Sequence, residues 1–218
     1  MANTTKSKKK KSKNNKKIIR IVLQSVIVFF AIIGVITTIY LAVKGISGLI
    51  SAKKGEGPQV TEDLIAVSSY SRPGIALSGV KGIVVHYTAN PGSSAKANRD
   101  YFDNLRFTHT TKASSHYVIG LDGEILQLIP LDEMSYASNS RNTDTISIEC
   151  CHPDDTGKFN SKTYDSLVNL VSWLCVKFDL NIEQVIRHYD VTGKNCPKYF
   201  VENEDAWNDF LEDVNKKL

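Results

Sequence analysis

Residues 82–102 have the sequence GIVVHYTANPGSSAKANRDYF, and this stretch decides the fold that we predict. Its apolar start predicts a buried β-strand over Ile83–Tyr87, because a short continuous apolar run is typical of a strand that is covered on both faces. A helix is predicted to follow over Ala95–Phe107. His86 consequently lies at the end of a buried strand, where the chain leaves the sheet.

Further strands and helices are predicted downstream. Two short strands, His116–Gly120 and Glu124–Ile129, flank an Asp-Gly pair that favours a tight hairpin turn. Thr145–Cys150 alternates between polar and apolar residues, which predicts another strand. Helical spacing of apolar residues predicts a helix over Tyr164–Phe178, and Asn203 is a candidate cap for a last helix. Together these elements predict an α/β domain with a mixed central β-sheet flanked by helices.

The N-terminal part of the chain differs from the rest in charge and hydropathy. Residues 1–54 contain 12 Lys and Arg and no acidic residue, whereas the remainder holds 15 Lys and Arg and all 23 acidic residues. The run Ile21–Val43 is uncharged, and as a helix it would span roughly 34 Å, enough to cross a bilayer core of roughly 30 Å. Eight lysines between Lys6 and Lys17 precede it and favour a cytoplasmic N-terminus. The sequence therefore predicts one transmembrane helix.

We predict four segments: a basic cytoplasmic tail over residues 1–20, a transmembrane signal anchor over 21–43, a linker over 44–60, and one domain over 61–218. A cleaved signal peptide is the alternative to the anchor, but its apolar region is usually only about 7–15 residues long. The basic tail is expected to set topology and contact anionic lipid, and no nucleic-acid partner is expected. A single-pass protein of the cell membrane follows, with its domain outside the cell.

Three residues far apart in sequence are candidate ligands of a metal ion. His86 ends the first strand, while His188 and Cys196 lie in the segment RHYDVTGKNCP, which also contains Lys194. Two imidazoles and a thiolate hold a catalytic zinc when the fourth position stays open for a water. A neighbouring lysine favours the thiolate form of Cys196. These residues favour a metallohydrolase.

Several separated motifs carry a family resemblance, namely SRPG, IVVHYTANPGSSAKANRDYF, SSHYVIGLDGEI, TISIE and HYDVTGKNCP. In these motifs and their order the chain resembles the amidase-2 family of N-acetylmuramoyl-L-alanine amidases, which includes phage lysozyme-type amidases and peptidoglycan recognition proteins. The resemblance implies their fold and one Zn²⁺ held by His86, His188 and Cys196. It also implies peptidoglycan as the substrate, cut between N-acetylmuramic acid and the L-alanine of the stem peptide.

The same resemblance assigns roles to three further residues. It implies that Glu149 is the general base and that Lys194 stabilises the oxyanion that forms during amide hydrolysis. His116 matches a histidine that faces the cleft, and a substrate-binding role is expected for it. The lysozyme-type branch has a tyrosine where this chain has Ser115. This departure favours the branch of the family that uses a glutamate.

Other polar residues have simpler interpretations, and two other functions remain open. His109 and His152 are expected to be structural, and Arg99 is interpreted as a helix-surface arginine rather than a site residue. A non-catalytic, membrane-tethered peptidoglycan-binding sensor is one alternative function. A wall endopeptidase that cuts within the stem peptide is the other. The catalytic domain is expected to be monomeric.

Overall fold

The computed structural model describes residues 23, 24, 26, 28–41 and 57–218. The predicted tail over residues 1–20 and most of the predicted linker over 44–60 lie outside these residues, as do the two ends of the predicted anchor over 21–43. Residues 28–41 lie in a helix, and among the described residues no helix is both long and apolar enough to cross a membrane. The chain divides into two units, with the boundary between residues 53 and 54.

The second unit is built on a six-stranded sheet with the strand order β1-β4-β3-β5-β2-β6. Only β3 and β4 pair antiparallel, as a hairpin, and all other neighbours are parallel. This arrangement confirms the predicted mixed sheet. In chain order, the strands are β1 (Thr61–Glu62), β2 (Gly82–Tyr87), β3 (Tyr117–Ile119), β4 (Ile125–Gln127), β5 (Thr145–Cys150) and β6 (Val185–Arg187).

Residues 57–218 also form five α-helices: α1 (Ala95–Thr108), α2 (Ser161–Phe178), α3 (His188–Thr192), α4 (Lys198–Glu202) and α5 (Glu204–Asn215). The hydroxyl of Ser94 accepts from the backbone N–H of Ala97 and caps α1, while Asn160 caps α2 in the same way at Thr163. Because Asn160 supplies this cap, α2 begins three residues before the predicted Tyr164.

The prediction that Asn203 caps the last helix was right about the position but wrong about the side-chain hydrogen bond. Asn203 does precede α5, but its side chain makes no capping hydrogen bond there. Its amide instead donates to the carbonyl of Tyr199 at 3.0 Å. The reason is that α4 ends at the same residue, so a free carbonyl of α4 competes for the amide.

Both faces of the sheet are covered by helices. On one face, side chains of β2 and β5 pack against α2 and α5. On the other face, α1 packs against β3 and the segment that follows β4. The side chains that form the two cores are Ile83, Val85, Ile146, Ile148, Leu167, Val171 and Phe210 in the first, and Phe102, Leu105, Val118 and Leu128 in the second. Since β2 and β5 run parallel at the centre, their carboxyl ends meet at one edge of the sheet, where α/β domains commonly bind ligands.

Candidate metal centre

Three elements bring the candidate ligands to this edge of the sheet. His86 is the penultimate residue of β2 and lies opposite Glu149 of β5 in the parallel register. His188 is the first residue of α3, which begins directly after β6, the other neighbour of β2. Cys196 follows in the loop between α3 and α4. The sheet topology therefore places residues 86 and 188 on neighbouring strand ends, and the loop returns residue 196 to them.

Local contacts fix the short α3 helix and the loop after it. Arg187, the last residue of β6, is buried, and its guanidinium forms ion pairs with Asp190 at 2.9 Å and with Glu204 at 2.7 Å. Gly193 ends α3 with a φ of 76°, a backbone conformation that glycine adopts without strain. The backbone N–H of Tyr189 then donates to the carbonyl of Cys196 at 2.9 Å, which closes the loop.

His86, His188 and Cys196 converge as the sequence predicts. Their candidate ligand atoms all lie within 4.8 Å of one another, and the three residues are buried. Cys196 Sγ lies 3.8 Å from His86 Nδ1, and the two imidazole centroids are 4.7 Å apart. Zinc bonds of about 2.0–2.3 Å separate neighbouring tetrahedral ligands by roughly 3.5 Å. The donor set and its spacing therefore fit a zinc ion.

Burial leaves the two imidazoles neutral, as metal binding requires, but it keeps the thiol of Cys196 protonated in the metal-free chain. It lowers the pKa of His86 well below its usual value, and the charges of His188 and Lys194 lower it further. The pKa of His188 is lowered by burial and by Lys194, so both imidazoles are neutral near pH 7. Burial and Glu149 raise the pKa of the Cys196 thiol to about 12, so the prediction that a neighbouring lysine favours the thiolate form was wrong for the metal-free chain. The charge of Lys194 does lower this pKa, but burial and Glu149 outweigh it. Such a thiol loses its proton when a cation binds beside it, which couples metal binding to proton release.

Glu149 is the carboxyl group of this site. Its Oε2 atom is buried and has no hydrogen-bond partner among residues 57–218. Burial raises the pKa of Glu149 to about 8, although the charge of Lys194 acts in the opposite direction. A carboxyl group with a pKa near neutrality can both take up and release a proton at pH 7, which is the requirement for a general base.

An open cleft of about 540 Å³ leads to these residues. Glu149, Lys194 and the three candidate ligands line one part of it. The sequence did not point to the other lining residues, which include Tyr101, Lys112, Tyr136, Asn139 and Asn142. A second cavity of about 410 Å³ shares Tyr101, Glu149 and Lys194 with the cleft, so the open space extends along α1.

Comparison with known proteins places this site in a family. Residues 76–199 match the Amidase_2 family model, which is described as N-acetylmuramoyl-L-alanine amidase. This chain belongs to the Amidase_2 family. The matched range begins before β2 and ends within α4, so it includes the whole metal centre.

Two curated relatives and one solved structure show how far the similarity extends. The N-acetylmuramoyl-L-alanine amidase CwlL of Bacillus licheniformis is 37% identical over 173 residues, which cover 73% of this chain and 48% of CwlL. The N-acetylmuramoyl-L-alanine amidase BlyA of Bacillus subtilis (strain 168) is 36% identical over 179 residues, which cover 72% of this chain and 47% of BlyA. The chain thus spans about half the length of these relatives. The catalytic domain of XlyA superposes with a TM-score of 0.61 at 29% identity, covering 72% of this chain and 99% of that domain.

His116 lies apart from the metal centre of this Amidase_2 chain. It is fully buried and does not line the cleft. Its Nδ1 accepts from the backbone N–H of Ser147 at 3.0 Å, so Nε2 carries the proton and donates to the carbonyl of Glu133 at 2.9 Å. Both ring nitrogens are therefore occupied within the fold. These contacts favour a structural role, and the predicted substrate-binding role of His116 stays a prediction.

The residues that were expected to be structural also lie outside the metal centre. His109 stacks on Tyr70 with ring centroids 4.3 Å apart, and His152 is buried with its Nδ1 2.7 Å from the carbonyl of Asp154. Arg99 forms an ion pair with Asp63 at 3.0 Å and is therefore occupied by the fold.

Proposed function

We propose that this chain is a zinc-dependent N-acetylmuramoyl-L-alanine amidase. It would cut the amide bond between the lactyl group of N-acetylmuramic acid and the L-alanine of the peptidoglycan stem peptide. The observation that carries the proposal is the convergence of His86, His188 and Cys196 beside the unpartnered carboxyl group of Glu149. Family membership supports the type of bond, and the chemistry of the donor set supports zinc.

The three ligands and Glu149 would divide the chemistry between them. His86, His188 and Cys196 would hold a Zn²⁺ ion, which would supply Lewis-acid chemistry for the hydrolysis of an amide. Glu149 takes the proton from the attacking water and returns it to the amide nitrogen, which then leaves as an amine. The raised pKa of this carboxyl group supports both halves of the proton transfer.

Lys194 would stabilise the negative charge that develops on the carbonyl oxygen. It lines the cleft, and its charge affects the pKa values of His86, His188 and Glu149 together. Its positive charge therefore acts on the same region as the side chains that would hold the metal and transfer the proton. A fixed positive charge there stabilises the transition state more than the neutral substrate.

The products of peptidoglycan digestion test the proposal. We would incubate the full-length chain with purified cell walls and identify the released ends by mass spectrometry, with and without a zinc chelator. The proposal expects free lactyl groups on muramic acid, new N-terminal alanines, and recovery of activity when zinc is restored. Fragments cut inside the stem peptide would instead indicate the endopeptidase. Binding to walls without any new end would indicate the sensor and overturn the amidase.

We also propose that Ile21–Val43 anchors the chain in the cell membrane, with the N-terminus cytoplasmic and the catalytic domain facing the cell wall. The proposal rests on the length of this uncharged run and on the lysines before it. Two features of the described helix over residues 28–41 support it. Its large apolar side chains, such as Phe29 and Ile36, are exposed, and the hydroxyl of Thr38 donates to the carbonyl of Gly34 at 2.8 Å, without needing water.

Fractionation of cells tests the anchor. The chain should stay in the membrane pellet after carbonate extraction and leave it in detergent. Protease added to cells whose wall has been removed should digest the domain and spare the basic tail. Release of the intact chain by carbonate would contradict the anchor and would leave the amidase proposal unaffected.

A further inference from the structure

Two consecutive side chains of one loop meet the two histidines of the metal centre. The loop lies between β4 and β5, and it includes a single helical turn over Asn139–Arg141. Ser138 Oγ is 3.3 Å from Nε2 of His86, and Asn139 Oδ1 is 2.8 Å from Nε2 of His188. Neither residue belongs to a motif that the sequence had indicated.

These contacts determine which ring nitrogen is left for a metal. A carbonyl oxygen only accepts a hydrogen bond, so Nε2 of His188 must carry the proton and Nδ1 keeps the free lone pair. At His86, Cys196 Sγ faces Nδ1 at 3.8 Å while Ser138 meets the opposite nitrogen. Both rings therefore present Nδ1 as the ligand. In metal sites the second nitrogen of a ligating histidine is almost always hydrogen-bonded in this manner, which fixes the tautomer and the ring orientation.

The loop holds these two side chains in a defined position. The side-chain oxygen of Asn142 accepts from the backbone N–H groups of Ala137 at 3.1 Å and Ser138 at 2.6 Å. Ser138 itself is buried, at 1% exposure. Asn139 has a φ of 52°, in the left-handed region that asparagine tolerates better than most residues. The side chains are thus set in place by the backbone before any metal binds.

We propose that Ser138 and Asn139 are positioning residues that hold His86 and His188 with Nδ1 directed at the metal. The inference rests on the proposed zinc site, and it adds which residues give that site its affinity. Loss of such a partner typically weakens metal binding by about 10- to 100-fold. The contact of Asn139 is the shorter one, so its removal should have the larger effect.

Substitution of Asn139 by glycine tests the side chain of Asn139 without changing the backbone conformation of the loop. Glycine adopts the positive φ without strain, so Asn139→Gly removes the carbonyl acceptor and preserves the path of the loop. We expect its zinc affinity to fall by about 10- to 100-fold. Asn139→Asp keeps an acceptor oxygen and should stay within a few-fold of the wild type. Ser138→Ala should show a smaller loss, and the double variant Ser138→Ala/Asn139→Gly the largest.

The measurements do not depend on turnover. Zinc affinity is measured on the full-length chain by competition with a chromophoric chelator, and the visible absorption of the Co²⁺-loaded chain reports changes in ligand geometry. Ser140→Ala is the matched control, because Ser140 is an exposed residue of the same loop, and the hydrogen bonds to the two histidines come from Ser138 and Asn139 instead. Thermal unfolding of the metal-free proteins shows whether the fold itself has changed.

Two results would overturn the inference. One is an unchanged zinc affinity and Co²⁺ spectrum in the double variant. The other is a loss of affinity that Asn139→Asp does not restore, or that is matched by lower thermal stability of the metal-free protein. Failure of the proposed function looks different: a wild-type chain that binds zinc but releases no lactyl ends would end the amidase proposal, while the roles of Ser138 and Asn139 would stand.

Discussion

Two groups of buried histidines in the same domain have opposite environments. His86 and His188 lie at the carboxyl edge of the sheet and form a cluster with Cys196. In each ring, Nε2 is hydrogen-bonded, to Ser138 at His86 and to Asn139 at His188. His116 is just as buried, but both of its ring nitrogens are used by Ser147 and Glu133. Burial alone therefore does not identify a functional histidine. His152 Nε2 is also buried without a hydrogen-bond partner among the described residues, so an unused ring nitrogen does not do so either. What distinguishes His86 and His188 is that their rings converge with Cys196 into one cluster of candidate ligands, to which His152 does not belong.

The carboxyl groups of the two regions show the same contrast. Glu149, in the metal centre, has a buried oxygen without a partner, and burial raises its pKa to about 8. Glu133, near His116, forms two hydrogen bonds with the guanidinium of Arg72, which lower the pKa of Glu133. An unpaired carboxyl group is suited to proton transfer, whereas a paired one stabilises the fold.

The largest effect is expected from Cys196→Ala. It removes the only thiolate of the metal centre, so zinc retention and wall hydrolysis should be lost together. Cys175→Ala is the control, because Cys175 is also buried but lies on α2, where its side chain packs into the core. Metal content by mass spectrometry and digestion of cell walls measure the two outcomes. Full activity of Cys196→Ala would end the metal assignment.

Glu149→Gln should separate binding of the metal from catalysis. Glutamine keeps the shape of the side chain but cannot take up a proton, and loss of a general base typically costs about 10²- to 10⁴-fold in kcat. Zinc content should remain that of the wild type. Glu183→Gln, an exposed substitution outside the cleft, is the matched control. A kcat within a few-fold of the wild type would show that Glu149 is not the base.

His116→Leu tests the histidine whose two ring nitrogens are both hydrogen-bonded within the fold. Leucine leaves the N–H of Ser147 and the carbonyl of Glu133 without their buried partner, which should lower the free energy of unfolding by about 1–3 kcal/mol. Zinc affinity and KM should be unchanged. Denaturant unfolding and steady-state kinetics measure these quantities. A raised KM with unchanged stability would instead support the substrate-binding role predicted from the sequence.

The sequence was informative where a pattern repeats along one element. The apolar run of β2 and the alternation of β5 predicted both central strands, and a parallel sheet then brings their ends together. The candidate ligand set followed from three residue types whose chemistry suits zinc. These predictions needed only local pattern and the known preferences of the metal.

The remaining features depend on contacts between distant segments. His116 is closed off by Ser147 and Glu133, which lie 31 and 17 residues away. Ser138 and Asn139 lie in a loop whose sequence has no periodic hydrophobic pattern. The role proposed for them depends on their contacts with His86 and His188, which only the folded structure shows. No single-sequence pattern encodes such partners, so these roles became visible only in the folded domain.

The smallest effect in this comparison is a pH-dependent one, expected from Glu133→Gln. Because its pairing with Arg72 lowers the pKa of Glu133 from the ordinary value of 4.5, the carboxylate stabilises the fold above that value. At pH 7 the substitution should lower the free energy of unfolding by about 1–2 kcal/mol. As the pH falls below about 5, through the lowered pKa, the difference should shrink, since the protonated carboxyl group loses the same pairing.

Urea unfolding of both proteins between pH 3 and pH 7 measures this difference at each pH. Burial lowers the pKa of His116 to about 4, and the charges of His116 and Glu133 act on each other's pKa, so His116 contributes a smaller part of the difference at low pH. In an Arg72→Met background most of the pH-dependent part should disappear, because the main group that lowers the pKa of Glu133 has been removed and only the weaker effect of His116 remains. If it kept its full size there, a cation other than Arg72 would have to stabilise the Glu133 carboxylate, and the contrast with Glu149 would no longer rest on the pairing with Arg72.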